Sequence, residues 1–179
     1  MESIEPLVEG LHGRLSSLLT YLKDDTDPSD STDLKSVFTK YFVVSAASYF
    51  ESFVLENIHV ALETENNRAC LNFINNKALK RQYHSLFKWD GKNVNTFLGL
   101  FGEEISKLVN ESVKGNSEYT QGMADFLFLG NLRNELVHKR LADFSTDITL
   151  DEAKGKFSRA LVFTTILFAE IIKAIKPAA

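Results

Sequence analysis

Residues 34–63 read LKSVFTKYFVVSAASYFESFVLENIHVALE. Their apolar side chains keep helical spacing and, between Tyr41 and Ala61, surround the axis nearly completely. That pattern predicts a helix at the centre of a bundle. Thr32 or Asp33 is placed to cap its start, because a short oxygen-bearing side chain accepts a bond from a free N–H of the first turn. Unbroken to Glu63, such a helix spans about 45 Å, long enough to support every other element. Glu51, inside YFESF, is the one acid in the aromatic stretch and is expected to face the surface.

The segments on either side repeat the helical signal. From Ile4 to Leu22, Ile4, Leu7, Val8, Leu11, Leu15, Leu18, Leu19 and Leu22 follow a three-four spacing, the mark of one buried face. DDTDPSDSTD, residues 24–33, reads as a surface loop, since Asp, Ser and Thr side chains compete for backbone bonds and Pro28 blocks a preceding helix. Arg68 to Phe87 is helical by pattern with a break near Asn75 and Asn76, and KWDGKN (88–93) supplies a turn. A short helix is expected from Phe97 to Val109, a loop at NESVKGNS (110–117), and a fifth helix from Glu118 to Lys139. TLDE (149–152) is a capping box, Thr149 capping while Glu152 reaches back. The last helix keeps its spacing from Leu150 to Ile175. With no alternating strand pattern and no internal repeat, the fold class is all-α, an up-and-down bundle with short additional helices.

The chain has 179 residues, 44% of them hydrophobic, which suits a single domain over residues 1–179 with its own core. Cys70 is the single cysteine and cannot form an internal disulfide. The N-terminus shows no signal-peptide pattern, and ALVFTTILFAEIIKAI is broken by Glu170 and Lys173, short of the ~20 apolar residues of a membrane span. A soluble, cytoplasmic protein is the expectation. Net charge is −4, which argues against a chain-wide nucleic-acid surface. The charge is uneven, however: Lys77 to Lys92 holds five cations against Asp90, a surplus of +4 that leaves −8 for the remainder.

Near the end of the fifth helix the chain reads FLGNLRNELVHKR, where an apolar pattern carries Arg133, Asn134 and His138. Asn134 and His138 are four apart and share a face, whereas Arg133 and His138 are separated by about 140° around the axis. One helix does not bring that Arg and His together. Two copies meeting across a two-fold axis would, since a symmetric interface sets the same patch against itself. A homodimer is therefore expected.

RNELVH, an Arg followed by a polar residue and then a His near the end of the penultimate major helix, resembles the R-x4-6-H signature of HEPN domains. YFESFVLENI (49–58), FKWDGKNVNTFLGLFG (87–102) and the helix order are similar to the branch of that family found in prokaryotic defence loci. The resemblance implies an all-α module of a group in which many members are metal-independent endoribonucleases of toxin-antitoxin, abortive-infection and CRISPR systems. It also implies an antitoxin or other defence-system partner protein. Toxins of the nucleotidyltransferase-paired branch carry Tyr two residues after the His; Arg140 stands there in this chain, a departure from that branch.

The residue types suit that chemistry. Metal-free RNA cleavage needs a group that moves a proton at the 2′-hydroxyl or the leaving oxygen, and histidine, as at position 138, is the residue type whose unperturbed pKa suits that role. It also needs a cation beside the charge building on phosphorus, for which the Arg133 fork is shaped. Asn134 would orient the imidazole or hold a phosphate oxygen. A structural alternative stays open, in which Arg133 pairs with Glu51 or Glu135 and His138 closes the helix with Lys139 and Arg140. Lys77, Arg81, His84 and Lys88 are spaced four, three and four and form one basic stripe. With Tyr83, Phe87 and Trp89 nearby, that stripe suits single-stranded RNA or is a solvated face over core aromatics. Lys139 and Arg140 are further RNA-binding candidates. His12, His59, His84 and Cys70 make no metal-like spacing, no phosphate loop follows a strand, and no cofactor or metal is expected. A non-catalytic module binding RNA, nucleotide or protein is the alternative function.

Overall fold

The structure is a computed structural model and describes residues 5–22, 28–63, 74, 83–138 and 146–176. It is all-α: among the described residues there are seven helices and no strand. In chain order these are α1 (Glu5–Leu22), α2 (Pro28–Leu62), α3 (Tyr83–Leu86), α4 (Asn95–Gly99), α5 (Glu103–Ser112), α6 (Ser117–His138) and α7 (Leu150–Ile175). No described helix is long and apolar enough to cross a membrane.

The helix ends follow local chemistry. The capping box at α7 forms as its sequence predicts: the Glu152 carboxylate accepts from the Thr149 N–H at 2.7 Å and hydroxyl at 2.9 Å, and the Glu152 N–H donates to Thr149 Oγ1 at 3.2 Å. Asn116 starts α6, its Oδ1 accepting from the Tyr119 N–H at 3.0 Å. Two boundaries depart from expectation. Helix α2 begins at Pro28, so the second half of the expected loop is helical and neither Thr32 nor Asp33 caps it. Proline suits a first helical position, with φ already set and no N–H to satisfy, and Asp30 in the first turn meets the positive end of the helix dipole. The helix expected from Phe97 to Val109 is two helices. Gly102, at φ 98°, takes a left-handed conformation that other residues resist, and separates α4 from α5. Arg68–Phe87 lies mostly outside the described residues; of it, Ile74 and α3 are helical.

The chain divides into two compact units, Met1–Phe50 with Leu129–Ser158, and Glu51–Phe128 with Arg159–Ala179. In the first, Phe42 and Phe157 are fully buried and meet edge to face at 6.1 Å, with Tyr49 and Phe50 on the same Phe157 ring at 5.5 and 5.3 Å. Burying a ring of this size stabilises by roughly 1.5–3 kcal/mol. Helix α1 is held to α7 there by two side-chain bonds, His12 Nε2 to Asp151 Oδ1 at 2.8 Å and Lys154 Nζ to Glu9. Helix α2 is not buried all round: Val37 and Tyr41 are 55% and 56% exposed.

In the second unit, Phe87 stacks on Phe97 with centroids 4.5 Å apart, and Phe126 packs against both Phe87 and Trp89. The buried indole is satisfied, Trp89 Nε1 donating to the His84 carbonyl at 2.9 Å. Asp125, almost wholly buried, accepts from Arg159 Nε at 2.6 Å and Gln121 Nε2 at 3.2 Å. Glu51 is half-buried rather than surface-facing.

Candidate functional site

Helix α6 carries the candidate residues in its last two turns. Leu129, Leu132 and Leu136 are buried and set one face of this part of α6 into the core of the first unit. At 100° per residue, Arg133 flanks that face, while Asn134 and His138 point away from it. Exposure follows the wheel: Arg133 and Asn134 are half-buried, and Val137 and His138 are exposed.

Arg133 Nη1 donates to Asn134 Oδ1 at 3.3 Å, so the amide of the motif lies against the guanidinium. One turn along, Asn131 Nδ2 donates to Glu135 Oε1 at 3.0 Å. This second pair is an i, i+4 spacing of amide and acid that carries no motif. His138 is the last described residue of α6. The Arg133 and His138 positions thus lie about 140° apart around the helix, while the Arg133 side chain bends toward Asn134, on the His138 side.

The remaining RNA-binding candidates divide by placement. Lys139 and Arg140, like Lys77 and Arg81, lie outside the described residues. His84 and Lys88 are exposed and belong to the second unit, whereas the motif belongs to the first. The aromatics beside them are core: Tyr83 and Phe87 are 4% exposed and Trp89 is 9% exposed, leaving no face on which a base could stack. These three rings belong to the core. Also in the second unit, an open groove of about 850 Å³ runs beside α5, lined by Glu103, Glu104, Lys107, Glu111 and Lys114. Its acids outnumber its cations, which does not suit a phosphate backbone.

No curated protein and no solved structure matches the chain. A family model described as RiboL-PSP-HEPN matches residues 11–173, nearly the whole chain, from within α1 to within α7. The chain belongs to the RiboL-PSP-HEPN family, within the HEPN class of all-α nuclease and RNA-binding modules.

Proposed function

We propose that this protein is a metal-independent endoribonuclease of the toxin or antiphage-defence type, working in the cytoplasm as a homodimer whose site is composite. The observation that carries the reading is the arrangement on α6: a guanidinium oriented by Asn134 at 3.3 Å and an exposed imidazole on the last turn, in a HEPN chain. Because Arg133 and His138 face about 140° apart, one protomer's Arg133 works with its partner's His138 across the two-fold axis.

In the proposed reaction the substrate's 2′-oxygen attacks the adjacent phosphorus, forming the P–O2′ bond and breaking the bond to the 5′-oxygen. The proton of the 2′-hydroxyl passes to a base, and the departing 5′-oxygen receives a proton. His138 serves one of these transfers. Arg133 holds the non-bridging oxygens as charge builds on them and keeps its own charge at any working pH. The products are a 2′,3′-cyclic phosphate, which hydrolyses to a 3′-phosphate, and a 5′-hydroxyl. Lys139 and Arg140, directly after the imidazole, and the Lys77, Arg81, His84 and Lys88 stripe bind the RNA backbone. An antitoxin or defence-system protein acts as regulatory partner, and residues 1–179 fold as one domain.

The test is subunit mixing. Arg133→Ala and His138→Ala proteins, each inactive alone, should regain part of the parent activity when their subunits are exchanged, since one of the two sites in the mixed dimer is then intact. No recovery in exchanged dimers contradicts the composite site. A parent protein that retains RNA without cleaving it points to the binding-module reading.

A further inference from the structure

Between Leu34 and Ser48, helix α2 is apolar on two opposite faces. One is core: Phe42 and Ala46 are 0% and Phe50 1% exposed. On the other side Leu34, Val37, Tyr41, Val44 and Ser48 alternate three and four apart. At 100° per residue they lie within an arc of about 80°, a narrow seam of the kind one helix presents to another. Val37 and Tyr41 are more than half exposed, and Leu34 and Val44 are half-buried. The flanking serines make no demand on a partner, since Ser45 Oγ donates to the Tyr41 carbonyl at 2.9 Å and Ser48 Oγ to the Val44 carbonyl at 3.0 Å. Covering this face therefore strands no hydroxyl proton. The Tyr41 ring offers an apolar body, and its hydroxyl, which can both donate and accept, meets its own copy at a two-fold contact.

We propose that this seam docks on the same seam of a second copy of the chain, the two α2 helices running antiparallel with Tyr41 at the two-fold axis. The inference rests on the proposed dimer and names the surface that holds it. The outward residues of α6 around His138 are the polar Asn131, Asn134 and Glu135, with Val137 as one exposed apolar side chain beside them. A stable pair buries about 800 Å² per partner around a centre poor in charge. The α2 seam supplies such a centre. The charged residues between Leu34 and Ser48 are Lys35 and Lys40; Lys35 turns well away from the seam, and Lys40 is buried. Antiparallel pairing about Tyr41 sets bulky Leu34 and Val37 of one copy against small Ser48 and Ser45 of the other, so the size gradient along the seam matches its own reverse. A parallel pairing would instead set the exposed acids Asp30 and Asp33 against their own copies, at a cost in repulsion. The seam also accounts for the apolar residues all round this part of α2.

The experiment is cross-linking in a Cys70→Ser background. With Tyr41→Cys the two introduced thiols meet at the axis, and mild oxidation should give a chain of doubled mass relative to 20.2 kDa on a non-reducing gel. Lys35→Cys in the same background should remain single. Val37→Asp, which leaves the core untouched, should convert the dimer seen by light scattering to a single chain. A dimer that survives Val37→Asp and does not cross-link at Tyr41→Cys overturns the seam while leaving the composite-site reading standing. A parent protein that stays at single-chain mass at micromolar concentration overturns both.

Discussion

Gly122→Ala should destabilise the protein, although alanine is the better helix former. In the second unit α6 approaches α7 so closely at this buried position that an added Cβ would lie 2.3 Å from the Arg159 carbonyl oxygen and 2.7 Å from Phe163 Cβ. Ordinary contact begins near 3.4 Å, so the overlap is about 1 Å. Neither obstacle is the far end of a flexible side chain, and the helices must separate. Separation loosens the Phe163 ring from Tyr119 at 4.9 Å and Phe126 at 5.4 Å. Overpacking costs about 1–3 kcal/mol, and an overlap against backbone belongs at the upper end. Helix propensity returns about 1 kcal/mol of it, for a net loss of about 2 kcal/mol. At roughly 2–4 °C per kcal/mol for a chain of this size, Tm should fall by about 4–8 °C. The assay is thermal unfolding by circular dichroism at matched protein concentration, with Gly13→Ala as the control. A Cβ at exposed Gly13, inside α1, meets nothing within 4 Å, and that variant should gain up to about 1 kcal/mol. A Gly122→Ala protein as stable as the parent, or more so, refutes the close approach.

Other substitutions test other links of the same account. Tyr119→Phe should stabilise by about 1 kcal/mol, because the Tyr119 hydroxyl is buried with no hydrogen-bond partner among the described residues and removing such a group relieves its desolvation cost. Burial also pushes the Tyr119 phenol upward from its ordinary value. The parent should therefore lose stability above about pH 10, where the unfolded phenol ionises and the folded one does not, and urea titrations of Tyr119→Phe should lack that alkaline loss. Arg159→Ala withdraws a cation from buried Asp125 and should cost about 2 kcal/mol in urea unfolding, less than a fully buried pair because Arg159 is half in water. The Glu152 carboxyl is held below its usual range, first by the Thr149 N–H and then by the Thr149 hydroxyl. Its contribution is present above the unfolded carboxyl value of about 4.3 and is lost as pH falls through the folded one, so Glu152→Gln should flatten the acid limb of the stability profile. Thr149→Ala should cost about 1 kcal/mol as a lost cap.

Where the chain announces itself through local chemistry, the sequence was a sufficient guide. The capping box dated the start of α7 to the residue, and α6 begins one residue from its expected position, because periodicity and caps are properties of neighbouring residues. The break between α4 and α5 was missed since Gly102 interrupts an otherwise helical pattern and its positive φ is a backbone choice that composition does not encode. The two faces of α2 were missed for a different reason. Apolar residues all round a helix signal burial on every side whether the cover comes from the same chain or from another, so Tyr41, where that stretch begins, looked like core. Tyr83, Phe87 and Trp89 posed the converse problem: aromatics beside cations fit a stacking surface or a core, and only packing on Phe97 and Phe126 decides between them. The site itself was legible as a motif, and the angle between Arg133 and His138 followed from helix geometry. The bond from Arg133 to Asn134 required coordinates, because the side chains of successive helical residues diverge by about 100° and meet only if the long one bends back.

Incubation of the purified protein with mixed RNA in EDTA tests the central claim most directly, with His138→Ala and Arg133→Ala run beside the parent. The parent should cleave, leaving 2′,3′-cyclic phosphate or 3′-phosphate ends. Both variants should be inactive while unfolding within about 1 kcal/mol of the parent, since truncating residues outside the core opens no cavity. Cleavage that persists in His138→Ala, or that stops in the parent when EDTA is added, contradicts the mechanism.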